Sequence, residues 1–353
     1  MQDGQSWVRN PHLLTENQRV TTELASTLLV FSADPKARLS INGVPQEFVA
    51  CGALMSLPEE RCHHNRIPCR HPLGIYNVSV HKASRHLKLL SSTTKRFFFE
   101  RMATISERPN DFLLEDTTDR IELSLHAAAA HVDDVEMICR CLFRSDREYA
   151  ANSNVRVLKR ELKPLRDRIS AYTNFIKHSH NAIRIFESEL KLTRSSILFP
   201  GFFLESSDGE KLMPNPLFHG NGNPVMSLST LIWEIFVFLM KTSYNLRTFI
   251  EAETKLITPQ NELSKAADDL ILAITELPLY FFGEVHPLHG KGLVLEVRND
   301  VQYSPLQGAI GSPWDPADLA NCQIGYWAYR YNGDGVTRSM AIELPKQLKL
   351  FNI

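Results

Sequence analysis

The segment from Tyr172 to Asn181 (YTNFIKHSHN) carries the residues whose types and spacing come nearest to a reactive site. Asn174 and His178 are four residues apart, so on a helix they are neighbours on one face, and Lys177 lies beside them. A lysine and an amide position a phosphate, and an imidazole transfers a proton near neutral pH. The pattern predicts a catalytic face for phosphate or RNA at Asn174, Lys177 and His178. The plainer alternative is a solvated polar helix end.

This segment resembles the HEPN superfamily of nucleic-acid-associated helical domains. In that family an arginine, a polar residue and a histidine five positions after the arginine lie near a helix end, and active ribonucleases of the family need the arginine and the histidine. Asn174 matches the polar position and His178 the histidine, whereas Thr173 stands at the arginine position. The resemblance covers residues 117–285.

The resemblance implies a HEPN-like helical domain whose site often forms across a dimer. It also implies a role in RNA-linked stress or anti-phage defence. In that role the protein would be a nucleic-acid-binding or assembly component, or a weak metal-independent endoribonuclease. With Thr173 in place of the arginine, the expected cation of the family's site is missing, so binding is favoured over catalysis.

A second candidate site is the loop from Cys62 to His71 (CHHNRIPCRH), which holds two cysteines and three histidines. Thiolates and imidazoles are the ligands that zinc prefers in proteins. The sequence therefore predicts a zinc-containing protein as an alternative, with Cys62, His64, Cys69 and His71 as the metal ligands. The six residues between the two cysteines exceed the usual spacing, and a basic surface loop without a cofactor is the other interpretation.

A third candidate is a basic stretch that alternates with Phe97, Phe98 and Phe99. Cations beside aromatic rings suit single-stranded nucleic acid, since phosphates pair with the cations while bases stack on the rings. The predicted nucleic-acid-binding residues are Lys82, Arg85, Lys88, Lys95, Arg96 and Arg101. In the alternative interpretation the phenylalanines belong to the core, and the cations form a solvated face or a protein contact.

Aromatic residues near the C-terminus predict a protein interface, because such side chains are frequent anchors of binding energy. The residues are Tyr326, Trp327 and Tyr329. This pattern supports a third functional hypothesis, a non-enzymatic interaction subunit of a larger complex. We expect a protein partner or a homodimer, and RNA or another nucleic acid as the other class of partner.

The elements that must position these residues are mostly helical in the middle of the chain. Apolar residues recur at alternating spacings of four and three from Ile121 to Leu142 and again from Val155 to Ile176. This period predicts two helices packed as an antiparallel hairpin, with a kink or restart at Pro164. Ser227 and Thr258 are expected to begin two further helices, which completes a four-helix core at 117–285.

The flanks predict an α+β protein. Residues 1–110 form a mixed, basic region with a hairpin at Asn42-Gly43 and, over 75–105, a strand followed by a helix. A β-containing insertion is expected near 190–225, and 290–353 are expected to be a small antiparallel β region with a hairpin around Asn332 to Gly335.

Composition limits the partners. The formal net charge is −1, but residues 1–110 hold 14 basic against 9 acidic residues, so any nucleic-acid contact must be local. The chain starts with no basic segment followed by an apolar run, and its most apolar stretch, 228–240, contains Glu234. We therefore expect a cytoplasmic protein with free thiols and no membrane partner. The chain also lacks the phosphate-loop and dinucleotide-binding fingerprints.

Overall fold

The computed structural model describes a subset of the residues, and the structural statements that follow concern these alone. They are 38–41, 48–103, 111–178, 183–191, 196–208, 211–219, 225–256, 265–275, 277, 280–281, 293–297, 301–303, 323–328, 339–340 and 349–350.

Helices dominate the part of the chain between 48 and 275. Within the described residues they are α1 (Ala50–Met55), α2 (Pro72–Ala103), α3 (Asp111–Arg140), α4 (Asp146–Ala151), α5 (Ser153–His178), α6 (Leu228–Thr254) and α7 (Lys265–Thr275). Two short 3₁₀ turns, Glu59–Arg61 and His64–Arg66, lie in the loop between α1 and α2. Together with the sheets described below, these helices confirm the predicted α+β class.

Local sequence signals explain where several helices begin and end. The hydroxyl of Ser227 accepts a hydrogen bond from the amide of Thr230 at 2.9 Å, which confirms the predicted cap of α6. The same helix ends at Lys255 in the left-handed conformation, with φ 59°. By contrast, α3 begins at Asp111, earlier than predicted, and α5 continues through Pro164.

Helices α3 and α5 form the predicted antiparallel pair. The hydroxyl of Thr173 lies 3.5 Å from the carbonyl oxygen of Leu125, while Lys159 pairs with Glu136 towards the other end. The apolar seams of both helices are buried, which confirms the periodicity that predicted them. The buried seam residues are Ile121, Leu125, Ala128, Val135, Cys139, Val155, Leu158, Leu162, Ile169 and Tyr172.

Helix α6 is apolar on nearly every side and lies at the centre of the packing. It contacts α1, α2, α3 and α5. Helix α2 also packs along α3 and against α7, so the helical layer includes a helix from outside the predicted 117–285 core. The predicted strand at the start of 75–105 is wrong, because these positions belong to the continuous helix α2 up to its end at Ala103.

The strands form three sheets among the described residues. They are β1 (Arg38–Ile41), β2 (Ile183–Lys191), β3 (Ser196–Asp208), β4 (Lys211–Pro214), β5 (Met226–Ser227), β6 (Tyr280–Phe281), β7 (Leu293–Val297), β8 (Val301–Tyr303), β9 (Gln323–Ala328), β10 (Ser339–Met340) and β11 (Lys349–Leu350). The largest sheet has the order β10-β4-β3-β2-β9, with β5 also paired to β3. Its β10–β4 pair is parallel, and its other pairs are antiparallel.

The described parts of the two predicted hairpins pair with strands distant in the chain. Strand β9 pairs with β2, and β10 pairs with β4 at the opposite edge of the sheet, while the segment around Asn332 to Gly335 lies outside the described residues. Likewise β1 pairs with β7 of the C-terminal part, and Phe48 and Val49 lead into helix α1. The C-terminal strands β9 and β10 therefore complete the sheet of the 183–214 segment, and the predicted turns lie outside the described residues.

Candidate nucleic-acid interface and thiol cluster

The end of helix α5 presents two of its three predicted residues to solvent. Asn174 and Lys177 are exposed. The side chain of His178 lies outside what the structure describes. Thr173 points inward, and its hydroxyl donates to the carbonyl oxygen of Ile169 at 2.9 Å. The position that carries arginine in the HEPN pattern is therefore a buried structural threonine here.

The guanidinium of Arg168, which precedes Asn174 by six residues, pairs with a buried side chain. Its Nε lies 2.6 Å from Oε1 of Glu234, and the same nitrogen donates to the phenol oxygen of Tyr172 at 3.0 Å. Glu234 is buried in the apolar helix α6, and this burial raises its pKa to about 7, although Arg168 opposes the rise. Arg168 thus neutralises a core carboxylate and is not placed beside Asn174.

The outer face of α5 is the most basic exposed helix face that the described residues form near the predicted site. The helix holds seven lysines and arginines against two acidic residues, a formal charge of +5. We define the α5 basic face as the five exposed cations of the helix together with the exposed Asn174 near its end. Its members are Arg156, Lys159, Arg160, Lys163, Asn174 and Lys177. The sequence pattern missed the first four, because only the 172–181 segment matched a known motif.

Several members of the α5 basic face already have acidic neighbours. Lys159 contacts Glu136 at 3.1 Å, and Lys163 pairs with Asp167 within the helix. These contacts are solvent-exposed, so each is weak and can be exchanged for a phosphate. Arg156 and Lys177 form no ion pair with any residue in the described ranges.

The predicted basic set on α2 does not form one surface. Lys82 and Arg85 are exposed. Burial lowers the pKa of nearby His86, and the charges of Arg85 and Lys82 lower that pKa further. Lys88 lies 3.6 Å from Asp269 of α7. The set is therefore split between an exposed pair and cations that bridge to neighbouring helices.

Farther along α2 the cations turn inward. Arg96 pairs with Asp116 of α3 at 2.5 Å, and Lys95 is half-buried. Arg101 is enclosed, and its Nε lies 2.5 Å from Oε1 of Glu187 on β2. The prediction that Arg101 binds nucleic acid is wrong, because a buried, paired guanidinium has no access to a phosphate. Phe97 and Phe98 are buried, so the alternative interpretation that they belong to the core is confirmed, and the side chain of Phe99 is outside the description.

The loop before α2 brings its cysteines and histidines together with a residue that the sequence pattern left out. The sulfur of Cys69 lies 3.5 Å from the sulfur of Cys141, at the end of α3. The sulfur of Cys62 lies 3.5 Å from Nε2 of His71, and the rings of His64 and His71 are 5.4 Å apart. We call these five residues the thiol cluster. Cys141 lies one residue past the end of α3 and two residues after Cys139. Residues two apart on a helix point to different sides, and that spacing was the available signal for Cys141.

Burial favours the protonated thiol at Cys62 and at Cys141. It raises the pKa of the Cys62 thiol, and the charges of Glu59 and Glu60 raise that pKa further. Burial, the hydrogen bond with Cys69 and the charges of Cys69 and Cys62 raise the pKa of the Cys141 thiol to about 12. In the part of the chain that the structure describes, no three Cys, His, Asp or Glu side chains already converge as metal ligands do.

The predicted aromatic interface falls mostly beyond the description. Tyr326 and Trp327 belong to strand β9, which pairs with β2 at an edge of the large sheet, and their side chains lie outside the described atoms. Tyr329 lies outside the described residues altogether. The interaction-subunit hypothesis therefore stays a prediction.

Comparison of the chain with protein-family models, with curated proteins and with solved structures finds no match. None of the helices in the described ranges has the length and apolar character that crossing a bilayer requires.

Proposed function

We propose that the protein is a nucleic-acid-binding protein that holds RNA along the α5 basic face. The observation that carries the proposal is the set of five exposed cations on the α5 basic face, within a chain whose net charge is −1. Cations concentrated on one helix face are the electrostatic footprint of phosphate binding, because neutralising phosphates releases condensed counterions.

The dimensions of the face suit a nucleic-acid strand. Arg156 and Lys177 are 21 residues apart, which at 1.5 Å per residue separates them by about 32 Å along the helix axis. That length can follow several consecutive phosphates. The exposed amide of Asn174 adds a donor and an acceptor for a base or a sugar hydroxyl at the same end of the helix.

Binding is proposed here rather than cleavage. Thr173 is buried and hydrogen-bonded within α5, and Arg168 is paired with Glu234, so neither supports a transition-state charge beside Asn174. The finer arrangement, a HEPN-like four-helix core that acts in RNA-linked stress or anti-phage defence, belongs to the same proposal and is supported by the resemblance alone.

The test is a salt series of fluorescence anisotropy with a labelled single-stranded RNA. One variant combines Arg156→Gln, Lys159→Gln, Arg160→Gln and Lys163→Gln. Each lost phosphate contact reduces the slope of log affinity against log salt by roughly 0.7 for a single strand, so we expect the slope to fall by about 3. The affinity at low salt should fall with it.

The matched control removes the same number of charges from α2, through Lys82→Gln, Arg85→Gln, Lys88→Gln and Lys95→Gln. We expect this control to keep most of the affinity and the slope, since its cations are dispersed. Equal losses in both variants would show a response to net charge alone, and an unchanged α5 variant would refute the proposed face. Circular dichroism of both variants establishes that they fold.

A further inference from the structure

We propose that the thiol cluster is a zinc site, in which Cys62, Cys69 and Cys141 supply three thiolates and an imidazole supplies the fourth ligand. The site joins the loop before α2 to the end of α3, two segments about 70 residues apart in the chain. It extends the ligand set that the loop sequence predicts by Cys141, and it is independent of nucleic-acid binding by α5.

The two contact distances in the cluster are those of ligands that share one metal ion. Zinc–sulfur bonds of about 2.3 Å and zinc–nitrogen bonds of about 2.0–2.1 Å, at tetrahedral angles, place neighbouring ligand atoms about 3.5–3.8 Å apart. The Cys69 and Cys141 sulfurs are 3.5 Å apart, as are the Cys62 sulfur and Nε2 of His71. Each half of the cluster therefore has the spacing of a ligand pair.

The backbone holds the two halves next to each other. The amide of His63, the neighbour of Cys62, donates to the carbonyl oxygen of Cys141 at 2.6 Å. Arg66 reinforces this junction, since its guanidinium donates to the carbonyl oxygen of Arg140 at 3.3 Å. These backbone contacts hold the Cys62 half and the Cys141 half of the cluster next to each other.

Two imidazoles are placed to supply the fourth ligand. Nε2 of His71 already contacts the Cys62 sulfur, and its Nδ1 accepts a hydrogen bond from the amide of Leu73 at 3.2 Å. In this tautomer Nε2 carries the ring proton, so ligation through Nε2 would move that proton to Nδ1 and give up the hydrogen bond with Leu73. His64 has the opposite character, because its Nδ1 is buried and has no hydrogen-bond partner among the described atoms. A buried ring nitrogen without a partner is the kind of group that a metal ion satisfies.

The binding reaction balances without a redox step. Three thiols lose three protons as three zinc–sulfur bonds and one zinc–nitrogen bond form, and the resulting centre carries a net charge of about −1. Arg66 lies beside Cys141 and compensates this charge, while its contact with Asp146 ties it to the start of α4. We expect a closed structural site with no open coordination position.

The test is the metal content of the untagged protein, purified without chelators and measured by inductively coupled plasma mass spectrometry. We expect about one zinc ion per chain in the unmodified protein. Cys141→Ser should lose most of this zinc. The matched control is Cys139→Ser, which changes a buried cysteine two residues away that lies outside the cluster and should keep the metal.

The fourth ligand is identified with His64→Asn and His71→Asn. His71→Asn removes the imidazole but keeps a side-chain acceptor for the amide of Leu73. We expect one of the two variants to lose zinc and the other to keep it. If both keep full zinc, the imidazole part of the proposal is wrong.

Cobalt(II) gives a readout that does not depend on variants that fold poorly. We expect the metal-free, reduced protein to take up cobalt with thiolate-to-cobalt absorption and the visible bands of a tetrahedral centre. The site is refuted if the unmodified protein neither contains zinc nor binds cobalt in this way, or if Cys141→Ser and Cys139→Ser hold equal zinc. A Cys69–Cys141 disulfide in freshly isolated, metal-free protein would likewise overturn it.

Discussion

The ion pair between Arg101 and Glu187 offers the sharpest test of how the helices are fastened to the large sheet. Arg101 lies in the last turn of α2 and Glu187 in the middle of β2, and their side chains are 2% and 0% exposed. Two contacts join them, Nε to Oε1 at 2.5 Å and Nη2 to Oε2 at 3.1 Å, so the pairing is bidentate. Such a pair has lost its hydration and depends on its geometry to offset that loss.

The magnitude follows from what each substitution leaves behind. Arg101→Met leaves the Glu187 carboxylate buried without its cation, and Glu187→Leu leaves the guanidinium buried without its anion. Each single variant should lose about 3–5 kcal/mol of the free energy of unfolding. The double variant buries two apolar side chains of similar volume, so we expect its stability to lie within about 1–2 kcal/mol of the unmodified protein.

The assay is urea unfolding followed by far-ultraviolet circular dichroism and tryptophan fluorescence, arranged as a double-mutant cycle. An exposed pair serves as the control, since the same cycle on Lys159 and Glu136 should give only about 0–1 kcal/mol. If the losses in the two single variants simply add in the double variant, Arg101 and Glu187 do not stabilise each other. Anisotropy with RNA should not separate folded Arg101→Met from the unmodified protein.

Two buried ionisable groups predict opposite dependences on pH. Burial raises the pKa of Glu234 to about 7 from its ordinary value of 4.5, so the folded state holds a proton that the unfolded chain releases. The contribution of Glu234 to the free energy of unfolding should therefore fall as pH rises from about 4.5 to 7, by up to about 1.4 kcal/mol per pH unit, and Glu234→Gln should remove this contribution in urea titrations. Burial lowers the pKa of His131 from 6.5 to about 4, so the stability that neutral His131 contributes is lost as pH falls from about 6.5 to 4. The free energy of unfolding of His131→Gln should not show this loss. An unchanged slope in either variant would contradict the assignment. Lys255→Gly should stabilise the protein by about 0.5–1 kcal/mol in the same assay because Gly adopts φ 59° without steric cost, whereas Lys255→Ala should give no gain.

The helices were predictable because their signal is local. Burial of one side of a helix imposes a period of 3.6 residues on the sequence, and the seams from Ile121 and Val155 carry it over several turns. Ser227 was predictable as a cap for the same reason, since the hydrogen bond to Thr230 lies within a single turn. The start of α3 was less accessible, because the apolar period that begins at Ile121 does not mark the first turns of a helix that begins at Asp111.

The strand pairing was not predictable, because a strand completes its backbone hydrogen bonds with whatever segment the fold brings beside it. The Asn-Gly signals at residues 42–43 and 332–333 favour local hairpins. In the structure β1 pairs with β7, some 250 residues away, and β9 pairs with β2. Periodicity assigns a residue to a face of a strand but contains no information about a distant partner.

The candidate sites show the same contrast between local features, which were predictable, and contacts between distant segments, which were not. Asn174 and Lys177 lie in the helical segment that the sequence pattern singled out, and both are exposed. Arg101 was misassigned because its partner, Glu187, comes from a strand 86 residues later. Cys141 was missed because the loop sequence 62–71 shows only one side of the cluster. Residues that meet across the fold need the fold before their chemistry is visible.

Charge is arranged by helix, and this arrangement constrains where a nucleic acid can bind. Helix α3 holds eight acidic and two basic residues, a formal charge of −6, while α2 and α5 on its two sides each carry +5. The bridges Arg96–Asp116 and Lys159–Glu136 show that part of this charge is neutralised between helices. A nucleic-acid strand placed over α3 would lie against the acidic residues of this helix, and they would repel its phosphates. Phosphates gain most at the exposed α5 cations that have no acidic partner in the described ranges, Arg156 and Lys177, so a nearly neutral chain is compatible with local binding on α5.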